Sequence, residues 1–284
     1  MHQKFTLLIT LFLLVCTPQL KSFGQENDKH VVSFIYHRFG DGRYPTTNTS
    51  IENFEAHINY LKDNDYHIVT LSKANEYLQS NQTGQKTAVL TIDDGFKSFI
   101  TNGFPLLKKH NVTATLFINT KDIGSGDYMS WDDIKMLSDE GIEIGNHTET
   151  HQYFLNLSEE NRYIIFKNEL TNGQKLIEEK LGITPKVFAY PFGEYDIKMK
   201  AIVQEVGFAA AVGQNSGVIH SSTHPYRMPR FPMSDAFASL SSFKLKSKMM
   251  PFVLIDESPI NFFLKREEKQ PELTLKFDTS NFNM

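Results

Sequence analysis

Residues 88–98 read AVLTIDDGFKS, an apolar run that ends on two adjacent carboxylates, Asp93 and Asp94, followed by a glycine. Between positions 87 and 92 the apolar character is nearly continuous. That is the texture of a strand buried on both faces, as in parallel sheets covered by helices. Neighbouring ionised carboxylates repel each other, and Gly95 lets the backbone turn sharply behind them. By default such a pair is a polar turn, because Asp-Gly is a common turn dipeptide. Whether the two acids do more depends on what lies around them.

Working outward, the same texture recurs. VVSFIYH (31–37), HIVT (67–70), TATLFIN (113–119), IEIGNH (142–147), KVFAYP (186–191) and FAAAV (208–212) read as strands. Between them lie helical patterns. IENFEAHINYLKDN (51–64) puts Ile51, Phe54, Ile58 and Leu61 on one stripe behind Ser50 as N-cap, and residues 72–80, 104–110, 131–141, 158–182 and 196–207 follow suit. Strand and helix in alternation mean parallel α/β architecture. About seven such units in roughly 200 residues favour a barrel-like sheet over an open one. In either form ligands sit at the carboxyl ends of the strands. His37, Asp93, Asp94, His147 and the turn YPFG (190–193) all fall at such ends.

The chain of 284 residues carries a net charge of −4, with no concentrated basic face. Nucleic acid is therefore excluded as a partner. FTLLITLFLLV (5–15) is too short to span a bilayer but fits the core of a signal peptide, with Ser22 and Gly24 flanking a cleavage site. Residues 1–24 are thus expected to direct export, leaving no transmembrane helix in the mature chain. Export points to a periplasmic, cell-envelope or secreted protein, with association to the envelope. Cys16 is the sole cysteine and lies in that segment, so any metal must be held by His, Asp or Glu. Residues 25–235 form the expected barrel. Residues 236–284 form an extension in which Leu273, Leu275 and Phe277 alternate as in a half-buried strand.

HTETH (147–151) spaces two histidines so that both imidazoles can converge on one cation. Zn²⁺ takes such nitrogens with a carboxylate oxygen and keeps a position open in catalytic sites. An isolated H-x₃-H is more often a solvated pair, and the zincin motif H-E-x-x-H is absent. TIDDG alone is equally weak. Their joint occurrence at strand ends is what raises both.

TIDDG, then HTETH some fifty residues on, then YPFG after a further strand, resemble in that order the polysaccharide deacetylase family, the NodB-homology carbohydrate esterases. FIYHRF, GIEIGNH and MPRFPM look like its exopolysaccharide and poly-N-acetylglucosamine branch, and the resemblance spans residues 31–232. It implies a distorted (β/α)₇ barrel, here with a short C-terminal β extension. It also implies hydrolytic removal of acetyl groups from an acetylated polysaccharide, N-acetyl from N-acetylglucosamine units foremost. The bond cleaved would be a linear amide. Carried over by residue, the resemblance makes Asp94, His147 and His151 the ligands of a divalent metal, Zn²⁺ first, with Co²⁺, Ni²⁺ or Mn²⁺ as alternatives. Asp93 becomes the general base and the backbone N–H of Phe192 a donor to the oxyanion. Tyr190, Pro191 and Tyr153 would line the substrate groove.

Two departures stand out. The arginine that the family usually carries two residues before the proline is Ala189 here, and Arg230 is the best substitute to support Asp93. The late general-acid histidine has no clear match; His37 ranks ahead of His224 and His220. These departures leave a non-catalytic glycan-binding or assembly protein as the alternative reading, although intact Asp93, Asp94, His147 and His151 argue against it. A metal-dependent peptidase or amidase would share the chemistry but lacks its own motifs.

Overall fold

All seven apolar runs become strands of one sheet in the computed structural model of the chain, which describes residues 29–258 and 272–277. The expected signal peptide, Cys16 and the cleavage site lie outside the described residues. In chain order, β1 (His30–Tyr36) is followed by the short pair β2 (Arg38–Phe39) and β3 (Asn48–Thr49), then α1 (Ile51–Asp63), β4 (His67–Val69), α2 (Leu71–Gln79) and β5 (Thr87–Ile92). Next come α3 (Phe104–His110), β6 (Thr115–Ile118), α4 (Trp131–Asp139), β7 (Glu143–Asn146), α5 (Glu159–Leu181), β8 (Val187–Ala189), α6 (Ile197–Val206) and β9 (Ala210–Val212). The series ends with β10 (Val218–His220), β11 (Phe231–Pro232), α7 (Leu240–Ser247), β12 (Leu254–Ser258) and β13 (Thr274–Phe277).

The sheet runs β10-β1-β5-β6-β7-β8-β9, parallel except for β10. It is a distorted (β/α)₇ barrel, and its distortion has a visible origin. One edge of β5 pairs with β1 along its whole length, from Thr87 to Ile92. The other edge is divided: β4 takes Thr87 to Val89, and β6 takes Thr91 and Ile92. The gap between β9 and β1 is bridged late, by Met228 against Val212 and by β11 beside Phe34 and Ile35. Inside the curl, Phe117 fills the space over Gly145, where an added Cβ would meet the ring at 2.4 Å. Val89, Val187, Ala189, Val212 and Met228 surround it.

The helices cover the outside as their stripes require. Ser50 caps α1 by accepting from the Asn53 N–H, and Ser130 and Asp133 form a capping box on α4. Helix α5 buries Phe166, Leu170, Gly173 and Ile177 with a charged residue, Glu169, among them. No helix among the described residues is long and apolar enough to cross a membrane. The tail differs from its expected form. β13 pairs with β12, but Leu273, Leu275 and Phe277 are 59, 41 and 42% exposed. Among the described residues no layer packs over this two-stranded ribbon, and these three side chains stay exposed.

His57 on α1 is fully buried, stacked 4.0 Å from the Phe243 ring. Its Nε2–H donates to the Ala238 carbonyl and its Nδ1 accepts from the Tyr36 hydroxyl. Burial pushes this imidazole from its ordinary 6.5 down to about 4. Between those values the unfolded chain takes up a proton that the folded chain refuses, so stability falls as pH drops through that window. The expected loss is about 3 kcal/mol between pH 7 and pH 4. Urea midpoints across that range should show it for the wild type. The slope should shrink in His57→Phe, and an unchanged slope would mean that another group carries it.

Candidate active site

Four parallel strands and one late segment deliver the site. His37 follows β1, Asp93 and Asp94 follow β5, His147 follows β7, and Pro191 and Phe192 follow β8, while Arg230 precedes β11. The loops that carry them are strained. Asp94, Thr148, His151 and Phe192 all have positive φ, at 74°, 70°, 53° and 58°. Left-handed backbone at non-glycine residues costs about 1–3 kcal/mol each and persists where surrounding structure enforces it, commonly at functional sites.

His147 is buried, and its Nδ1–H donates to the Ala189 carbonyl at 2.7 Å. That bond fixes the tautomer, so Nε2 is the acceptor nitrogen. This buried Nε2 has no hydrogen-bond partner among the described residues. It lies 3.6 Å from Asp94 Oδ1 and 3.8 Å from Asp93 Oδ2, and His151 Nε2 is also 3.6 Å from Asp94 Oδ1. One ligand atom each from Asp94, His147 and His151 falls within 4.8 Å of the others. An orphaned buried nitrogen that converges with a second imidazole and a carboxylate fits a divalent cation, and two His with one Asp is a donor set that zinc accepts.

The two acids are treated in opposite ways. Burial raises the Asp94 carboxyl to about 6, against the opposing charge of His37 and with help from Asp93. Burial would also raise Asp93, but Arg230 and His147 outweigh it and hold the group at about 2. The cause is a forked ion pair: Arg230 donates to Asp93 Oδ1 at 2.7 Å and to Oδ2 at 2.8 Å, both side chains being wholly buried. Its remaining donors reach the Gly213 carbonyl and the Thr91 hydroxyl. The cation missing at Ala189 thus enters from a different part of the chain. Ala189 packs with Phe117 and Val212 inside the barrel, where the Arg230 guanidinium lies 5.6 Å from the Phe117 ring.

Phe192 sits edge-on to His151 at 4.5 Å, and Tyr153, 49% exposed, stacks flat on Phe192 at 3.5 Å. The Phe192 N–H donates to no acceptor among the described residues. His37 lies close enough for its charge to act on both acids.

Other expected residues are elsewhere. Tyr190 is wholly buried with its hydroxyl donating to the Tyr226 carbonyl, and Pro191 is buried in the turn, so neither lines a groove. Their strand alternates, with Val187 and Ala189 turned into the barrel and Phe188 and Tyr190 under the helices. His220 pairs with His30 at the start of β1, the end of the barrel away from the site. His224 feels Lys200 and Arg227 and none of the clustered groups.

One contributor escaped the sequence reading. Glu169 of α5 accepts from the Glu149 and Thr150 N–H groups at 3.1 and 2.7 Å, and from the Thr150 hydroxyl at 2.8 Å. It ties down the loop between the two histidines. Asn146 and Thr148 support the same loop, bonding the N–H groups of Thr148 and His151. The signal for Glu169 was a carboxylate on the apolar stripe of a helix.

The sequence profile of the polysaccharide deacetylase family matches residues 80–211. Over those residues the chain matches a polysaccharide deacetylase domain. The matched span contains Asp93, Asp94, His147, His151 and Phe192, whereas His37 and Arg230 lie outside it. A Staphylococcus aureus poly-β-1,6-N-acetyl-D-glucosamine N-deacetylase is 24% identical over 216 residues, covering 72% of this chain and 73% of that one. Two solved structures share the fold. The Streptococcus pyogenes deacetylase PplD in complex with acetate superposes at a TM-score of 0.71 with 18% identity, over 78% of this chain and all of that chain. IcaB from Ammonifex degensii gives 0.68 with 22% identity, over 80% of this chain and all of that chain.

Proposed function

We propose that this deacetylase is an exported, metal-dependent hydrolase that removes N-acetyl groups from an N-acetylglucosamine polymer of the cell envelope or extracellular matrix. The observation that carries the reading is the unpartnered, buried His147 Nε2 facing Asp94 and His151 beside an arginine-held Asp93. The name of the S. aureus relative makes β-1,6-linked N-acetylglucosamine the first polymer to offer.

Asp94, His147 and His151 would hold the ion, with zinc foremost and cobalt, nickel or manganese as alternatives. When bound, such an ion polarises an acetyl carbonyl and acidifies water in the site. The remaining work belongs to the chain. Asp93 is ionised throughout the working pH range, and its Oδ2, the oxygen nearest His147 Nε2, takes the proton of the attacking water. The uncommitted Phe192 N–H donates to the oxyanion of the tetrahedral intermediate. His37 is the group near both acids that can return a proton to the leaving amine. The outer face of Tyr153, held rigid by Phe192, supports the sugar ring.

The test is acetate release from β-1,6-linked N-acetylglucosamine oligomers by the purified protein. Release should vanish on chelation and return with added Zn²⁺ or Co²⁺. Release that persists in protein shown by elemental analysis to be metal-free would sink the reading. So would the absence of release from any acetylated glycan with metal bound stoichiometrically; that result would favour a glycan-binding role.

A further inference from the structure

Next to the site lies a cavity of about 240 Å³ that the chemistry above does not use. Arg38, Asp41, Arg43, Lys97, Asn102 and Asp127 line it. Its walls are the segments that leave β1 and β5, the same two that carry His37 and the Asp93–Asp94 pair, with Asp127 from the segment after β6. The Arg38 charge is felt at Asp94.

The lining is polar. The Arg38 guanidinium is sandwiched between Phe96 at 3.5 Å and Tyr44 at 3.9 Å. It pairs with Asp41 and Asp127 at 3.2 and 3.4 Å, and Arg43 pairs with the same two carboxylates at 2.8 and 3.1 Å. Two arginines and two aspartates thereby cancel, leaving an array of donors and acceptors of the kind that reads hydroxyl groups. Lys97 is not cancelled. Its ammonium meets the Gly126 carbonyl at 3.2 Å and forms no ion pair among the described residues. At 240 Å³ the cavity is smaller than the roughly 300–1,000 Å³ of sites for drug-sized ligands. A cavity of that size, open to solvent, admits one sugar ring.

We propose that this cavity is a subsite for one uncharged hexosamine unit flanking the unit that reacts, and that Lys97 makes it disfavour a unit bearing a free amine. The subsite rests on the reading of the chain as an N-acetylglucosamine deacetylase. Its consequence is a pattern. The enzyme works within stretches that are still acetylated and avoids positions beside its own products, spacing the free amines along the polymer.

The test compares fully acetylated β-1,6-linked N-acetylglucosamine tetramers with tetramers carrying one free amine at a defined unit. The metal-loaded wild type and Lys97→Glu are each followed by mass spectrometry. The wild type should prefer the acetylated tetramer in kcat/KM by about five-fold, the ratio one unit-charge interaction near 4 Å gives in water. Lys97→Glu should erase or invert that preference, read as the ratio of the two tetramers within each protein. An unchanged preference in Lys97→Glu overturns the subsite. Calorimetric titration of the same tetramers into both proteins reads the ratio without turnover. A total lack of acetate release therefore counts against the deacetylase reading, and equal binding ratios count against the subsite. Inorganic phosphate that binds through Lys97 without displacing a tetramer would also overturn it.

Discussion

Arg230→Met is expected to cost about 3–5 kcal/mol of stability, because it strands the buried Asp93 carboxylate without its partner. For a chain of this size that is a fall in Tm of roughly 10 °C. Activity should fall by about 10²–10⁴-fold, the contribution of a positioned base. The acid limb of the pH–rate profile should also move. Without the guanidinium the wholly buried Asp93 carboxyl rises from about 2, so it is protonated, and useless as a base, at a higher pH than before. Folding and catalysis can be separated with a double variant. Asp93→Asn combined with Arg230→Met removes the stranded charge, and should recover most of the lost Tm while staying inactive. An active Arg230→Met protein with an unmoved acid limb would show that Asp93 needs no support from this arginine.

Glu169→Ala should weaken metal binding by about 10–100-fold, as loss of groups that orient metal ligands generally does. Glu169 touches none of the three ligand atoms. It holds the Glu149 and Thr150 amides and the Thr150 hydroxyl, and the loop between them returns through left-handed His151. Without the carboxylate these donors are left unmet, at about 1–3 kcal/mol, and the loop can relax out of its strained form. Competition with a chromophoric chelator measures the affinity directly, independent of turnover. Glu169→Gln, which keeps one acceptor oxygen, should fall between the two. A metal affinity equal to wild type in Glu169→Ala, alongside a lowered Tm, would reduce the residue to a packing role.

The architecture was readable because a parallel strand buried on both faces leaves an apolar run that needs no partner to be seen, as 87–92 does. The shared edge of β5 was not readable, since register depends on which strands meet and not on their composition. Spacing offered His147 and His151 as a pair and strand ends an acid beside them; that the acid is Asp94 came from the resemblance, and the three do converge. Arg230 was legible only as a substitute for a missing neighbour, because 137 residues separate it from Asp93 and nothing local links them. Tyr190 misled because only the resemblance placed it in the substrate groove. The alternation of Val187, Phe188, Ala189 and Tyr190 already assigned it to the helix-covered side. His220 and His224 misled for a plainer reason: position along a chain says little about which end of a barrel a loop returns to.

The bridge from Met228 to Pro232 closes the sheet and brings Arg230 to Asp93 in the same stroke. A growing chain that has produced Asp93, Asp94, His147 and His151 still lacks the arginine that clamps Asp93. Closing so long a loop is a slow event in folding, since distant segments must be brought together before any contact rewards them. The arginine clamp on Asp93 is therefore expected among the last contacts to form, and a chain that ends before Met228 lacks it altogether.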